Sequence, residues 1–133
     1  MTLKNTDGYI ITVTNCQINN GDTDRITEMG KGSLRIKDGR YYIMYKPENV
    51  TVMIRIDGDV VNVTRTGEVR SCMEYRLGKT TKFMYNTPYG EMAMEITTKM
   101  LAYDIGDCGG EIHLKYDLCG IDNNMEISIR KES

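Results

Sequence analysis

A chain of 133 residues is long enough to bury one core without disulfides or metals, and its length fits one domain rather than two. With 17 basic residues against 19 acidic ones and a formal charge of -2, it has no long-range field to draw in nucleic acid or an anionic membrane, so neither partner is expected. Hydrophobic residues at 40%, together with 13 glycines, argue against a disordered chain, and no stretch approaches the length of a membrane-spanning helix.

Residues 1–7 hold a single lysine with no apolar run behind it, which is not the pattern of a secretory signal. They are expected to form a loosely held or disordered N-terminus, with residues 8–133 as a single β-barrel domain. The expected location is therefore cytoplasmic, where Cys16, Cys72, Cys108 and Cys119 remain thiols.

Gly8 to Ile18 is rich in β-branched residues and lacks a three-four apolar period, so it reads as a strand closed by the turn Asn19-Asn20-Gly21-Asp22. From Asp24 to Lys37, alternation assigns Ile26, Gly30, Gly32, Leu34 and Ile36 to one inner face. Glu28 shares that parity. Two glycines on an inner face predict a sharp bend, the corner of a barrel. Asp38-Gly39 and Asp57-Gly58 are two-residue hairpin signals flanking Arg40–Tyr45, Pro47 and the alternating run Val50–Ile56. In this reading Ile56 pairs with Asp59, which sends Val61, Val63 and Arg65 inward.

Val69 to Arg76 reads as the next strand, with Ser71, Met73 and Tyr75 inward; after Leu77-Gly78-Lys79, Phe83, Tyr85 and Thr87 share a face. The turn Tyr85-Asn86-Thr87-Pro88-Tyr89-Gly90 joins this strand to a longer one, since Pro88 presets a first central turn position and Gly90 accepts positive φ. Met92, Met94, Ile96 and Thr98 then share a face, but Leu101, Tyr103 and Ile105 fall on the other parity, which requires a bulge near Lys99–Met100. Ile112, Leu114, Tyr116 and Leu118, then Met125, Ile127 and Ile129, form the last inward sets.

About eight to ten short strands joined by tight turns, with no amphipathic helix, predict an all-β fold, either a sandwich or an antiparallel up-and-down barrel. Sequential hairpins favour the barrel. Pairing the first strand with the last would close it and leave no exposed edge.

Arg65-Thr66-Gly67, Gly78, the Tyr85–Gly90 turn, Thr97-Thr98 and the strand around Tyr116 together resemble the YwiB-like family of small uncharacterised bacterial proteins, over roughly Tyr9 to Arg130. The resemblance implies a calycin or lipocalin-like β-barrel and supplies no established activity. Related folds hold varied ligands or none, so the fold alone assigns no role.

An inward Arg65 needs a carboxylate, carbonyls or a bound anion, because an unpaired buried charge is expensive. Glu28 is an available partner, which leaves two readings: a structural pair, or an anchor for a ligand's anionic headgroup. Tyr41, Tyr45, Tyr75, Tyr85 and Tyr116 with Met73, Met92 and Met94 would line the interior with apolar bodies and a few hydroxyls, which suits either a packed core or a pocket for one small ligand. The expected ligand-binding set is Arg65, Tyr75, Tyr85, Tyr116, Met73 and Thr87. No cofactor and no metal are expected, because no close cysteine pair exists and His113 has outward parity. No nucleophile accompanies His113, so catalysis is not the leading reading. The leading expectation is a barrel that binds a small, partly apolar ligand inside, anionic if Arg65 is its anchor. The alternative is a solid barrel that binds a protein partner through an outer face or the Pro88-Tyr89-Gly90 turn.

Overall fold

The computed structural model describes residues 7–68 and 70–132. The expectation for the segment before Asp7, and the assignment of Val69 to a strand, lie outside the described residues. Ten strands follow one another: β1 Asp7–Asn19, β2 Asp22–Lys37, β3 Arg40–Tyr45, β4 Thr51–Asp57, β5 Val60–Thr66, β6 Ser71–Arg76, β7 Thr80–Thr87, β8 Gly90–Gly106, β9 Gly109–Leu118 and β10 Ile121–Lys131. They make one antiparallel sheet in the order β6-β5-β4-β3-β2-β1-β10-β9-β8-β7, with β1 paired to β10 as the closing of a meander requires.

The sheet curls because its long strands change partners along their length. β2 pairs with β1 up to Ser33 and with β3 from Gly32 onward, so the glycines Gly30 and Gly32 mark the corner. A Cβ at Gly32 would collide with the Met44 carbonyl and come within 2.8 Å of Ile11 Cδ1, so only glycine lets the two neighbouring strands approach there. β8 does the same: it pairs with β7 over Gly90–Thr97 and with β9 from Ile96, and its register shifts between Thr98 and Met100. That is the bulge the change of parity required. It turns Lys99 outward, where its ammonium meets Asp117 at 3.2 Å and Asp122 at 3.4 Å.

Inside lies an isoleucine-rich core: Ile11, Ile43, Ile54, Ile56, Ile96 and Ile112 are fully buried, and Leu114, Ile127 and Ile129 nearly so. Alternation predicted these faces because a strand's side-chain period is two. It failed where strands run past the barrel. Ile26 and Ile36 have the inward parity but are exposed, Ile26 by 69%, since they sit near the ends of the long β2 with nothing opposite to cover them.

Two further expectations are corrected. The β4–β5 hairpin pairs Ile56 with Val61, not Asp59: the two loop residues are Gly58 and Asp59, and of these only Gly58 has positive φ (62°), so it takes the first central place of a type II′ turn. The pairing moves by two residues, an even number, and every inward side chain stays inward. Closure, in turn, leaves a seam. β6 and β7, neighbours in sequence, do not form a ladder; the loop between them is tied to β8 by a parallel bridge from Leu77 to Thr98, a bond from Gly78 N to Thr98 O (2.9 Å) and one from Thr98 N to Lys79 O (3.1 Å), while β7 reaches β6 through Thr81 Oγ1, which donates to Glu74 O (2.5 Å). The result is a nearly closed barrel with its opening between β6 and β7.

Candidate binding site

Two polar groups lie within the barrel, each assembled by strand register. The first is built on the row Gly32, Tyr45, Val52, Arg65 and Ser71, successive cross-strand partners from β2 to β6. Because Gly32 has no side chain, Tyr45 can lie across β2 and reach Glu28. The Tyr45 hydroxyl donates to Glu28 Oε1 at 2.8 Å, and Arg65 donates through both terminal nitrogens, to Oε1 at 2.9 Å and Oε2 at 2.7 Å. This is the bidentate geometry that suits a guanidinium and a carboxylate.

The ionisation of all three follows from that contact. The Arg65 hydrogen bonds hold the Glu28 carboxyl below its usual range, against the opposing effect of burial and with help from Tyr45. Glu28 in turn raises the Arg65 guanidinium further. Burial, then the adjacent carboxylate, pushes the Tyr45 hydroxyl well above the ordinary phenol value. At pH 7 the trio is therefore a closed ion pair with a neutral tyrosine. The pair is half-buried, so it sits where the interior meets solvent.

The second group surrounds Tyr75 and Tyr116, whose rings meet edge to face at 4.9 Å and 71°. Tyr116 donates to Asn15 Oδ1 at 3.1 Å, Asn15 Nδ2 to Asn123 Oδ1 at 3.0 Å, and Asn123 Nδ2 to Ile121 O at 2.9 Å, a chain running across β9, β1 and β10. The Tyr75 hydroxyl contacts Met73 Sδ at 3.9 Å, a weak acceptor. Burial raises its pKa well above the ordinary value, with the neighbouring Tyr116 hydroxyl adding to the effect and the Arg65 charge opposing it. Burial raises Tyr116 too. Thr98, the register partner of Tyr116, is 1% exposed, and its Oγ1 is buried without a hydrogen-bond partner.

Of the residues singled out from sequence, Arg65, Met73, Tyr75 and Tyr116 therefore line one interior. Tyr85 and Thr87 lie elsewhere. Both belong to the β7–β8 hairpin, which extends past the barrel: Tyr85 is 40% exposed and Met92 53%, so neither forms the interior wall assigned to it. The Thr87 hydroxyl is spent on its own turn, donating to Gly90 O at 2.7 Å and accepting from Tyr89 N at 3.1 Å. Asn15, Thr98 and Asn123 are not in the expected binding set, although alternation places Thr98 on one face with Ile96. Asn15 shares parity with Ile11 and Val13, a signal that was available; Asn123 shares parity with Met125 and Ile127, and β10 begins at Ile121, ahead of the inward set read from Met125 onward.

His113 faces outward as expected, near Glu111 (3.3 Å) and Glu126 (3.7 Å). Among the described residues no cluster of His, Cys, Asp and Glu could hold a metal, and the four cysteines are unpaired.

Comparison with known proteins agrees with this architecture. The profile of a family described as a domain of unknown function, DUF1934, matches residues 11–128. An uncharacterized β-barrel protein of Bacillus subtilis strain 168, YwiB, is 24% identical over 102 residues, which span 74% of this chain and 72% of that protein. The crystal structure of B. subtilis YwiB superposes with a TM-score of 0.89 at 23% identity, covering 98% of this chain and 95% of that one.

Proposed function

The chain belongs to the DUF1934 family of domains of unknown function, and from that premise we propose that its barrel binds a small, partly apolar molecule in the interior beside Tyr75, Thr98 and Tyr116. The observation that carries this reading is the Thr98 hydroxyl, buried and unpartnered on the inner face next to Tyr116. Leaving such a hydroxyl unsatisfied costs about 1–3 kcal/mol, which a ligand atom able to hydrogen-bond there offsets. The Tyr75 hydroxyl, placed between the Met73 thioether and the Tyr116 hydroxyl, offers a second polar contact, while Met73 and the tyrosine rings supply adaptable apolar walls. The ligand class this favours is neutral with a polar end. An anionic headgroup would have to compete with the Glu28 carboxylate for Arg65, so Arg65 bounds the site rather than anchoring its occupant.

The test is native mass spectrometry of the protein purified from its own host, followed by denaturing extraction of whatever is released. A stoichiometric small molecule that is lost in Thr98→Val supports the reading. A bare mass on folded protein, with Thr98→Val more stable than the parent by about 1 kcal/mol because an unsatisfied hydroxyl has been removed, overturns it.

A second reading is favoured by the hairpin. Tyr89 at its tip is fully exposed, and Met84, Tyr85 and Met92 expose apolar surface on both of its faces, next to the free edge of β7. A protein partner adding a strand there would cover both the edge and these side chains. Protection of the β7 amides from hydrogen exchange on adding a candidate partner is the measurement that separates it from the interior reading.

A further inference from the structure

The outer face of β2, β3 and β4 holds a groove of about 430 Å³ lined by Ser33, Arg35, Lys37, Tyr42, Met44 and Met53. These are the side chains of alternate parity to the core, and the register sets them in rows. Ser33, Met44 and Met53 are cross-strand partners in one row, and Arg35, Tyr42 and Arg55 in the next. The small Ser33 leaves a depression beside two flexible thioethers, which form an apolar floor that can adapt to a guest. Its volume lies in the range of small-molecule sites, roughly 300–1,000 Å³.

The charges on this face are not balanced. Arg40 and Arg55 both turn to Asp57, at 3.1 Å and 3.9 Å. Lys31, further along β2, is paired with Glu132 at 3.7 Å. Among the described residues, Arg35 and Lys37 take part in no ion pair or side-chain hydrogen bond, although they are the two cations that line the groove. An apolar floor with two uncommitted cations at one side is complementary to a molecule with the opposite arrangement: an apolar body ending in a carboxylate or phosphate.

We propose that this outer groove binds a small amphipathic anion, its apolar part on Met44 and Met53 and its charged end on Arg35 and Lys37. The site is distinct from the interior one, which lies on the inner face of β6, β8 and β9, and does not depend on it.

Decanoate is the probe, added below its micelle concentration to protein labelled at the methionine methyl groups and followed by NMR. The Met44 and Met53 methyl resonances should shift saturably, while the interior Met73 resonance stays in place. The double variant Arg35→Gln, Lys37→Gln, changed only at exposed positions, should bind at least about tenfold more weakly, as should decanol with wild-type protein. Unmoved Met44 and Met53 resonances overturn the proposal. So does equal binding of decanol and decanoate, which would reduce the groove to apolar adhesion, and so does a short poly-glutamate peptide that shifts the same resonances more tightly than decanoate, which would reassign the groove to a protein partner.

Discussion

Strands β2 and β3 present a tyrosine and charged groups on both of their faces, and the two faces treat those charges in opposite ways. Inside, Glu28 and Tyr45 are joined by Arg65 of β5, and every charge has its counter-charge at 2.7–2.9 Å. Outside, Tyr42 lies among Arg35, Lys37 and two methionines, with no carboxylate committed to either cation. The difference follows from the solvent. An unpaired charge is costly where water is excluded and nearly free where it is not, so an interior arginine must be matched within the fold, whereas an exterior one is left available for something else. The residue that looked most like a ligand anchor from its inward position is for that very reason the one already spoken for.

Both faces depend on the bend at Gly32, and the largest expected effect comes from removing it. In Gly32→Ala the new methyl group would overlap the Met44 carbonyl, a backbone atom that cannot move without shifting β3. A loss of about 3 kcal/mol or more is expected, measured by urea unfolding, with the interior trio and the outer groove disrupted together. A loss below about 1 kcal/mol would mean that the two faces do not share this hinge. Next in size is Arg65→Met, which strands the Glu28 carboxylate and should cost about 2 kcal/mol, less than for a fully buried pair because both groups are half-buried. Removing both charges, in Glu28→Gln with Arg65→Met, should recover part of that loss. The matching change outside, Arg35→Met, should alter stability by no more than about 0.5 kcal/mol. Equal costs for the two arginines would erase the contrast between the faces.

Much of the fold was legible because two local rules dominate it. Alternation identified the buried residues of β4 to β6 and of β9, and the parity break after Thr98 located the bulge beside Lys99. Turn chemistry located the hairpins, and its one misjudged pairing, at Gly58, left the faces unchanged because the slip was even. Sequence periodicity says nothing about where a strand leaves the barrel, which is why Ile26, Tyr85 and Met92 were assigned an interior they do not reach. Nor does it show which neighbouring strands fail to pair: the seam between β6 and β7 depends on how far the whole sheet has curled by the time its edges meet. Of the candidate site, the partnership of Arg65 with Glu28 could be anticipated from parity, but the chain through Asn15 and Asn123 joins residues 108 apart in sequence and requires the β1–β10 pairing to exist first.

One further effect is the most specific to the interior charge. Glu28 has a folded-state pKa below its ordinary value of 4.5, chiefly through the Arg65 hydrogen bonds, so the unfolded chain binds a proton more readily than the folded one. Its contribution to stability is therefore fully present above 4.5 and is lost as the pH falls through the lower, folded value. Glu28→Gln imitates the protonated carboxyl and has no such contribution to lose. Wild type should be the more stable of the two at neutral pH, by no more than about 1 kcal/mol given the partial exposure of the pair, and the two should converge as acid is added below 4.5. Taking the difference between them cancels the other carboxylates, which titrate in both proteins. A gap that stays constant from neutral pH to about pH 3 would show that Glu28 is not held as a paired carboxylate, and the distinction between a committed inner arginine and an uncommitted outer one would lose its physical basis.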